Sequence, residues 1–179
     1  MRRVVITGIG LLTSIGFNVK DTWNNILSCK SGIKKITQFD TENIPCKIAG
    51  SISGNSNDKL FTDIKNTIEP KEIKRNDRFI IYGLIAAKEA IEDSGIDNLT
   101  EEQKIRTGIS VGSGIGGLET IYENSMILNN KGPRRISPFF VPASLINLIS
   151  GKISIKYGYK GPNHSVVTAC ATGANSIGD

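Results

Sequence analysis

Histidine, cysteine and aromatic residues are all scarce in this chain, and each scarcity narrows what it can do. Only one histidine is present, His164, so a nucleophile here has at most one imidazole available to it. The three cysteines, Cys29, Cys46 and Cys170, form an odd set without a Cys-x-x-Cys pair. That argues against a disulfide framework or a metal site and for a reducing, cytoplasmic compartment. Aromatic residues make up 6% of the chain and are not interleaved with basic ones, which argues against single-stranded nucleic acid as a partner. No apolar run approaches the length of a membrane span. Met1-Arg2-Arg3 followed by Val4-Val5-Ile6 imitates the start of a signal peptide, but Gly8, Gly10 and Thr13 break the run before an apolar core can form. No membrane partner is expected. The formal charge of +5 is spread along the chain rather than gathered in an arm, and it permits an acidic partner.

What is present suits a soluble α/β domain. The 179 residues, 39% hydrophobic and 22% charged, are enough for one core. Arg3 to Thr7 reads as a buried strand running into the tight loop Gly8-Ile9-Gly10, whose following residues offer several backbone N–H groups. Thr13 stands where a dinucleotide fingerprint needs its third glycine, so that loop reads as a structural turn. Asp21 to Leu27, containing Trp23, Ile26 and Leu27, predicts a short amphipathic helix closed near Gly32, and Cys29 near its end reads as incidental. Ile48 to Ile52 predicts a short strand or hairpin arm, and Gly54 to Asp58 a loop. From Phe79 the apolar residues repeat at helical spacing as far as Ile91, leaving Lys88, Glu89, Glu92 and Asp93 on a polar face, and Gly95 is a natural stop. Thr100 and Gln103 have capping-box spacing. Thr107 to Val111 predicts a second strand, Leu118 to Leu128 a helix, and Ala143 to Tyr157 another, with Leu145, Leu148 and Ile149 inward, Gly151 at a tight crossing and Gly158 ending it. This alternation implies an α/β sheet covered by helices.

Two stretches carry chemistry. Gly112-Ser113-Gly114-Ile115-Gly116-Gly117 satisfies the Gly-x-Gly-x-x-Gly spacing after a strand and before a helix. A dinucleotide fold then wants a second parallel strand ending in an acidic residue, whereas a polar basic loop, residues 129–135, follows. The alternative is that these glycines let two backbones approach beside a pocket. The second stretch is Val166 to Ala174, an apolar run delivering Cys170 into small residues. It reads as a buried strand, a sharp turn bearing Cys170, and the first turn of a helix, whose N–H groups and dipole favour a thiolate. By residue type alone, Cys170 is either a nucleophile or an inert buried cysteine. His164, upstream on the same expected strand, stands about 20 Å away at ~3.3 Å per residue and is not its partner.

Several segments together resemble one family. Arg3-Val4-Val5-Ile6-Thr7-Gly8-Ile9-Gly10, Phe79-Ile80-Ile81-Tyr82-Gly83, the Gly112 to Gly117 loop, Gly132-Pro133-Arg134-Arg135-Ile136-Ser137-Pro138-Phe139-Phe140-Val141-Pro142 and Thr168-Ala169-Cys170-Ala171-Thr172-Gly173 resemble the N-terminal half of the β-ketoacyl-acyl carrier protein synthases, most like the type II elongating enzymes of bacterial fatty acid synthesis. The resemblance covers residues 1–179 and implies one half of a thiolase-like α-β-α-β-α sandwich, in a homodimer. It implies that Cys170 takes an acyl chain from the phosphopantetheine of acyl carrier protein, with no other cofactor, before decarboxylative Claisen condensation with malonyl-carrier. It places Ile115 and Phe140 on the acyl pocket, Phe140 across the dimer interface, and Lys71, Lys74, Arg75, Arg134 and Arg135 on the surface that docks the carrier. A solvated basic face is the plain alternative for those five charges. The family's two catalytic histidines, a lysine and a glycine-phenylalanine gating loop belong to its C-terminal half, outside these residues. Residues 1–179 alone are therefore expected to be inactive in condensation. The competing functions are a polyketide-type ketosynthase, a non-catalytic carrier-binding or dimerisation fragment, and a nucleotide-binding module.

Overall fold

The computed structural model describes residues 3–52, 64, 66 and 68–179. The chain forms two compact units, Met1–Asn66 with Ile85–Gly95, and Thr67–Leu84 with Ile96–Asp179.

In the first unit, α1 spans Val19–Leu27 and starts earlier than its apolar spacing suggests, because Asn18 caps it: its side chain accepts from the Asp21 N–H at 2.7 Å. The residue it buries is Thr22, while Trp23, Ile26 and Leu27 are exposed. Strands β1 (Ile33–Lys35) and β2 (Ile48–Gly50) pair antiparallel, Ile33 opposite Gly50, which gives the expected hairpin arm. The Gly54 to Asp58 loop lies outside the described residues.

The expected strand at Arg3 to Thr7 does not form. Val4 is 92% and Ile6 77% exposed, and no strand runs beside them among the described residues. The backbone that follows lies instead on the later turns of helix α3 (Arg78–Ser94), which has Gly95 after it at φ +70°. A methyl group on Gly8 would meet the Ala90 carbonyl oxygen, and one on Gly10 that of Ala86. The Asp93 carboxylate accepts from Ile9 N–H at 3.0 Å, and Glu89 accepts from both Leu11 and Val19 N–H at 2.9 Å. Side chains that the periodicity places on a solvated face are thus spent on loop donors. Those N–H groups face carboxylates, which leaves nothing for a phosphate.

The second unit begins with α2 (Pro70–Ile73) and the first turns of α3. Helix α4 (Glu101–Arg106) has the full capping box between Thr100 and Gln103. Strand β3 (Ile109–Ser110) pairs in parallel with β4 (Asn163–His164), Ser110 opposite His164, which makes this unit α/β. Between them run α5 (Leu118–Lys131), a 3-10 turn at Pro133–Arg135, α6 (Phe140–Ser144) and α7 (Asn147–Tyr157). A second 3-10 turn, Ala169–Ala171, leads into α8 (Thr172–Gly178). Ile80, Ile81, Leu84, Ile109, Ile149 and Ile153 are buried apolar residues of this unit.

Three expectations here are corrected. The helix predicted over Ala143 to Tyr157 is broken at Leu145, whose backbone is extended, because Gly117 N–H takes the Ser144 carbonyl at 3.1 Å. Leu145 is consequently exposed. The tight crossing involves Gly83, where an added methyl group would sit 2.7 Å from Ile149 Cδ1, while Gly151 has open space. Finally, no strand forms at Val166 to Ala169. Ladder bonds end with Val111 N–H to the His164 carbonyl, and Val111's own carbonyl accepts from Ser165 Oγ at 2.8 Å. Gly158 does end α7, at φ +71°.

The two glycine environments give opposite expectations. Gly10→Ala forces a methyl group into backbone and should cost about 1–3 kcal/mol. Gly151→Ala, mid-helix with room, should gain about 0.5–1 kcal/mol. Thermal unfolding of both variants checks this; equal shifts would contradict it.

Candidate active site

Cys170 sits in the middle of the 3-10 turn, on an exposed stretch. Its predecessor Ala169 has φ +50°, a left-handed conformation that costs a non-glycine residue roughly 1–2 kcal/mol. The surroundings hold it there. The Thr172 hydroxyl accepts from Thr168 N–H at 2.9 Å and donates to the Ala169 carbonyl at 2.8 Å, and Thr172 is 4% exposed. Ala171 N–H closes the turn on the Thr168 carbonyl at 3.0 Å. Methyl groups on Gly112 would collide with the Val166 carbonyl and with Thr172, and one on Gly114 would lie 3.3 Å from the Ala169 carbonyl. The glycine-rich loop therefore lies directly against the turn. No hydrogen bond to Cys170 N–H occurs among the described residues. The sharp turn into a helix is as expected; the buried strand before it is not.

His164 ends β4 and is exposed, with residues 165–168 intervening before the cysteine turn. It lines an open cleft of about 550 Å³ with Ile109, Ser110 and Ser165, which no expected site residue shares.

The loop from Gly112 to Gly117 is shaped from within by Ser113 Oγ, which accepts from Gly116 N–H at 3.0 Å, and Gly116 adopts φ +89°. Methyl groups on Gly116 and Gly117 would press on Ser144 at 2.7 and 2.6 Å. Gly117 has no side chain with which to cap α5, and Asp77 supplies the missing acceptor: its Oδ2 takes Thr120 N–H at 2.8 Å. That carboxylate, 7% exposed, occupies the helix start where a phosphate would have to bind. The loop is thus a spacer between backbones, carrying Ile115 outward and exposed. It packs against the break after α6, and Phe140 is the first residue of α6, half-buried. Ile115 and Phe140 are so placed on adjoining elements.

The basic residues fall into two stretches joined by an aromatic ring. Lys71 pairs with Glu69 at 2.7 Å, and Lys74 is exposed. Arg75 lies 3.9 Å from Glu72 and stacks over Phe139, 4.5 Å from the ring centroid. Arg134 and Arg135 are exposed on the 3-10 turn just ahead of that ring. Lys152 binds Glu72 at 2.8 Å, and its hydrogen bond, partly opposed by desolvation, holds the Glu72 carboxyl below its usual range. Buried Asn124 accepts from Ser137 N–H at 3.1 Å, fixing the segment before Phe139. Sequence reading missed Asp77 and Asn124, whose roles depend on distant partners. An Asp just before a helix was the available signal for the first. Among the described residues no group of His, Cys, Asp or Glu gathers to hold a metal ion, and no helix is long and apolar enough to cross a membrane.

The family model described as "Beta-ketoacyl synthase, N-terminal domain" matches residues 1–179. A 3-oxoacyl-[acyl-carrier-protein] synthase 2 of Rhizobium meliloti (strain 1021) is 47% identical over the whole chain, and one of Staphylococcus aureus (strain COL) is 48% identical over 99% of it. The chain spans 42% and 41% of the length of these relatives. Among solved structures, the ishigamide ketosynthase/chain length factor matches with a TM-score of 0.79 at 26% identity, over 98% of this chain and 44% of that one. A β-ketoacyl synthase from Burkholderia phymatum STM815 matches in fold, with a TM-score of 0.73 at 20% identity, over 99% and 42%. The fold is therefore the thiolase-like α/β fold of the ketosynthases.

Two expectations follow from the site. Thr172→Val strands Thr168 N–H and leaves the Ala169 carbonyl with the Thr172 N–H alone, and should cost about 1–3 kcal/mol in urea denaturation; a neutral result would mean the hydroxyl does not hold the turn. Because the folded Glu72 carboxyl titrates lower than the unfolded one, its pair with Lys152 stabilises above the unfolded value and is lost as pH falls through the folded one. Lys152→Met should therefore cost about 0.5–1 kcal/mol at neutral pH, and the difference from wild type should vanish in acid.

Proposed function

Because the chain belongs to the family of β-ketoacyl synthase N-terminal domains, we propose that it is the nucleophile-bearing half of a 3-oxoacyl-acyl carrier protein synthase of fatty acid elongation. The observation that carries this is the turn at Cys170: an exposed thiol next to the left-handed Ala169, with a backbone N–H that makes no hydrogen bond among the described residues. The thiolate attacks the acyl thioester on the carrier's phosphopantetheine. Negative charge gathers on the carbonyl oxygen, where the Cys170 N–H donates. Collapse expels the carrier's phosphopantetheine thiolate and leaves the acyl chain on Cys170. In the second half-reaction malonyl-carrier loses CO₂, and the resulting carbanion attacks the Cys170 thioester and releases the 3-oxoacyl carrier with the thiolate restored. The proton handling and carbanion stabilisation belong to histidines of a second half of the domain, outside residues 1–179; His164 is not assigned to this work.

Ile115 and Phe140 line the acyl pocket in this reading, Phe140 reaching into the partner subunit of a homodimer. Support comes from the loop and helix that carry them, which pack together through Gly117 and Ser144. Lys71, Lys74, Arg75, Arg134 and Arg135 dock the acidic carrier, whose involvement is named in the curated relatives. Their two stretches meet at the Arg75–Phe139 contact, which favours one surface over two unrelated charged faces. The enzyme works in the cytoplasm and needs no cofactor beyond the carrier's phosphopantetheine. The polyketide alternative is separated by product chain length.

Incubation of the chain with acyl-carrier protein, followed by peptide mass spectrometry, should find the acyl group on Cys170, slowly, and none in Cys170→Ala. Residues 1–179 alone should give no condensation; normal turnover would overturn the division of labour. Reversing Arg134 and Arg135 to Glu should weaken carrier binding, more so at low salt, and an unchanged affinity would remove the docking surface.

A further inference from the structure

Arg75 is held differently from the other proposed docking residues. Its guanidinium carbon lies 4.5 Å above the Phe139 ring. Its approach to Glu72 is loose at 3.9 Å, and that carboxylate is taken more closely by Lys152 at 2.8 Å. One face of the guanidinium is thus spent on an aromatic ring, while much of the side chain stays exposed to an incoming anion. Phe139 is the residue from which α6 starts: its carbonyl accepts from Ala143 N–H at 2.9 Å, and its own N–H donates to Ser137 Oγ at 3.1 Å. The next residue is Phe140. Between the Arg134–Arg135 turn and Phe140 the chain is therefore pinned at Ser137 by Asn124 and at Phe139 by Arg75.

We propose that Arg75 is a positioning residue that couples carrier docking to acyl-chain selection, through its contact with the Phe139 ring at the start of the helix bearing Phe140. This rests on the docking and pocket reading above. An acidic group of the carrier bound to the outer edge of the guanidinium fixes Arg75 over the ring, and the ring fixes the first turn of α6. Coupling of this kind is reciprocal, so the length of acyl chain in the pocket also biases carrier affinity. Among the described residues Lys71 and Arg134 make no such ring contact, and they act through charge alone.

The test compares long and short saturated acyl-carrier substrates in the complete protein, reading kcat and KM for transfer to Cys170. Arg134→Ala should raise KM for both lengths by the same factor. Arg75→Ala should raise KM and also change the long-to-short ratio of kcat/KM by about two- to fivefold, the factor expected of an exposed cation–π contact. Phe139→Leu, which keeps the Arg75 charge, should reproduce the change in ratio with a smaller rise in KM than Arg75→Ala, and in the double variant the ratio should change no further than in either single one. Arg75→Lys, which keeps the charge and a weaker ring contact, should restore part of the ratio. An unchanged ratio in Arg75→Ala, or additive effects in the double variant, overturns the coupling. If Arg134→Ala leaves KM unaltered, the docking reading itself fails, which is a separate outcome.

Discussion

One buried carboxylate sets the geometry around the glycine-rich loop. Asp77 stands before α3, where its Oδ1 accepts from Phe79 N–H at 3.3 Å, and its Oδ2 reaches Thr120 in the first turn of α5. A helix that starts at glycines has no side chain with which to satisfy its first donors, and Asp77 supplies the acceptor from a remote point in the chain. With α5 so anchored, Gly117 can give its N–H to Ser144. That bond ends α6 and allows α7 to start afresh. The consequence is a short helix carrying Phe140, separate from the long one whose Ile149 and Ile153 are buried. Replacing Asp77 would expose the contacts that depend on it to rearrangement, since a buried donor without a partner is costly.

Features written in nearby residues were legible in the sequence. The long helix, its Gly95 stop, the Thr100–Gln103 capping box and the Gly158 stop all arise within a few positions, and each was read from composition and spacing. Features that need a distant partner were not. An apolar β-branched run at Val4 to Ile6 looks like a strand whether or not another strand lies beside it. Ser144 sits in a stretch with helical spacing, and nothing local announces that Gly117 will take its carbonyl. Glu89 and Asp93 look like a solvated helix face until the loop above them is known to have free N–H groups.

The cysteine turn shows the same division. That small residues allow a tight turn around Cys170 was visible; that Ala169 would be the residue to take the left-handed conformation was not, because glycine is the usual choice and Gly173 stands close by. Thr172 explains the outcome, since its hydroxyl bonds on both sides of Ala169 and over-determines the turn. The five basic residues were assigned to carrier docking by the family resemblance, and that Arg75 differs from the others by packing on Phe139 appears only in the structure.

The double acceptance by Glu89 has a consequence in time rather than energy. Leu11 and Val19 amides are bonded to a side chain of α3, not to a neighbouring strand, so they are released only when that helix moves or its side chain swings away. An extended N-terminal stretch with exposed valines would ordinarily lose its amide hydrogens to solvent within moments. Here the exchange of the Leu11 and Val19 amides is tied to Glu89 on the helix beneath, and is expected to be slower than that of a free loop.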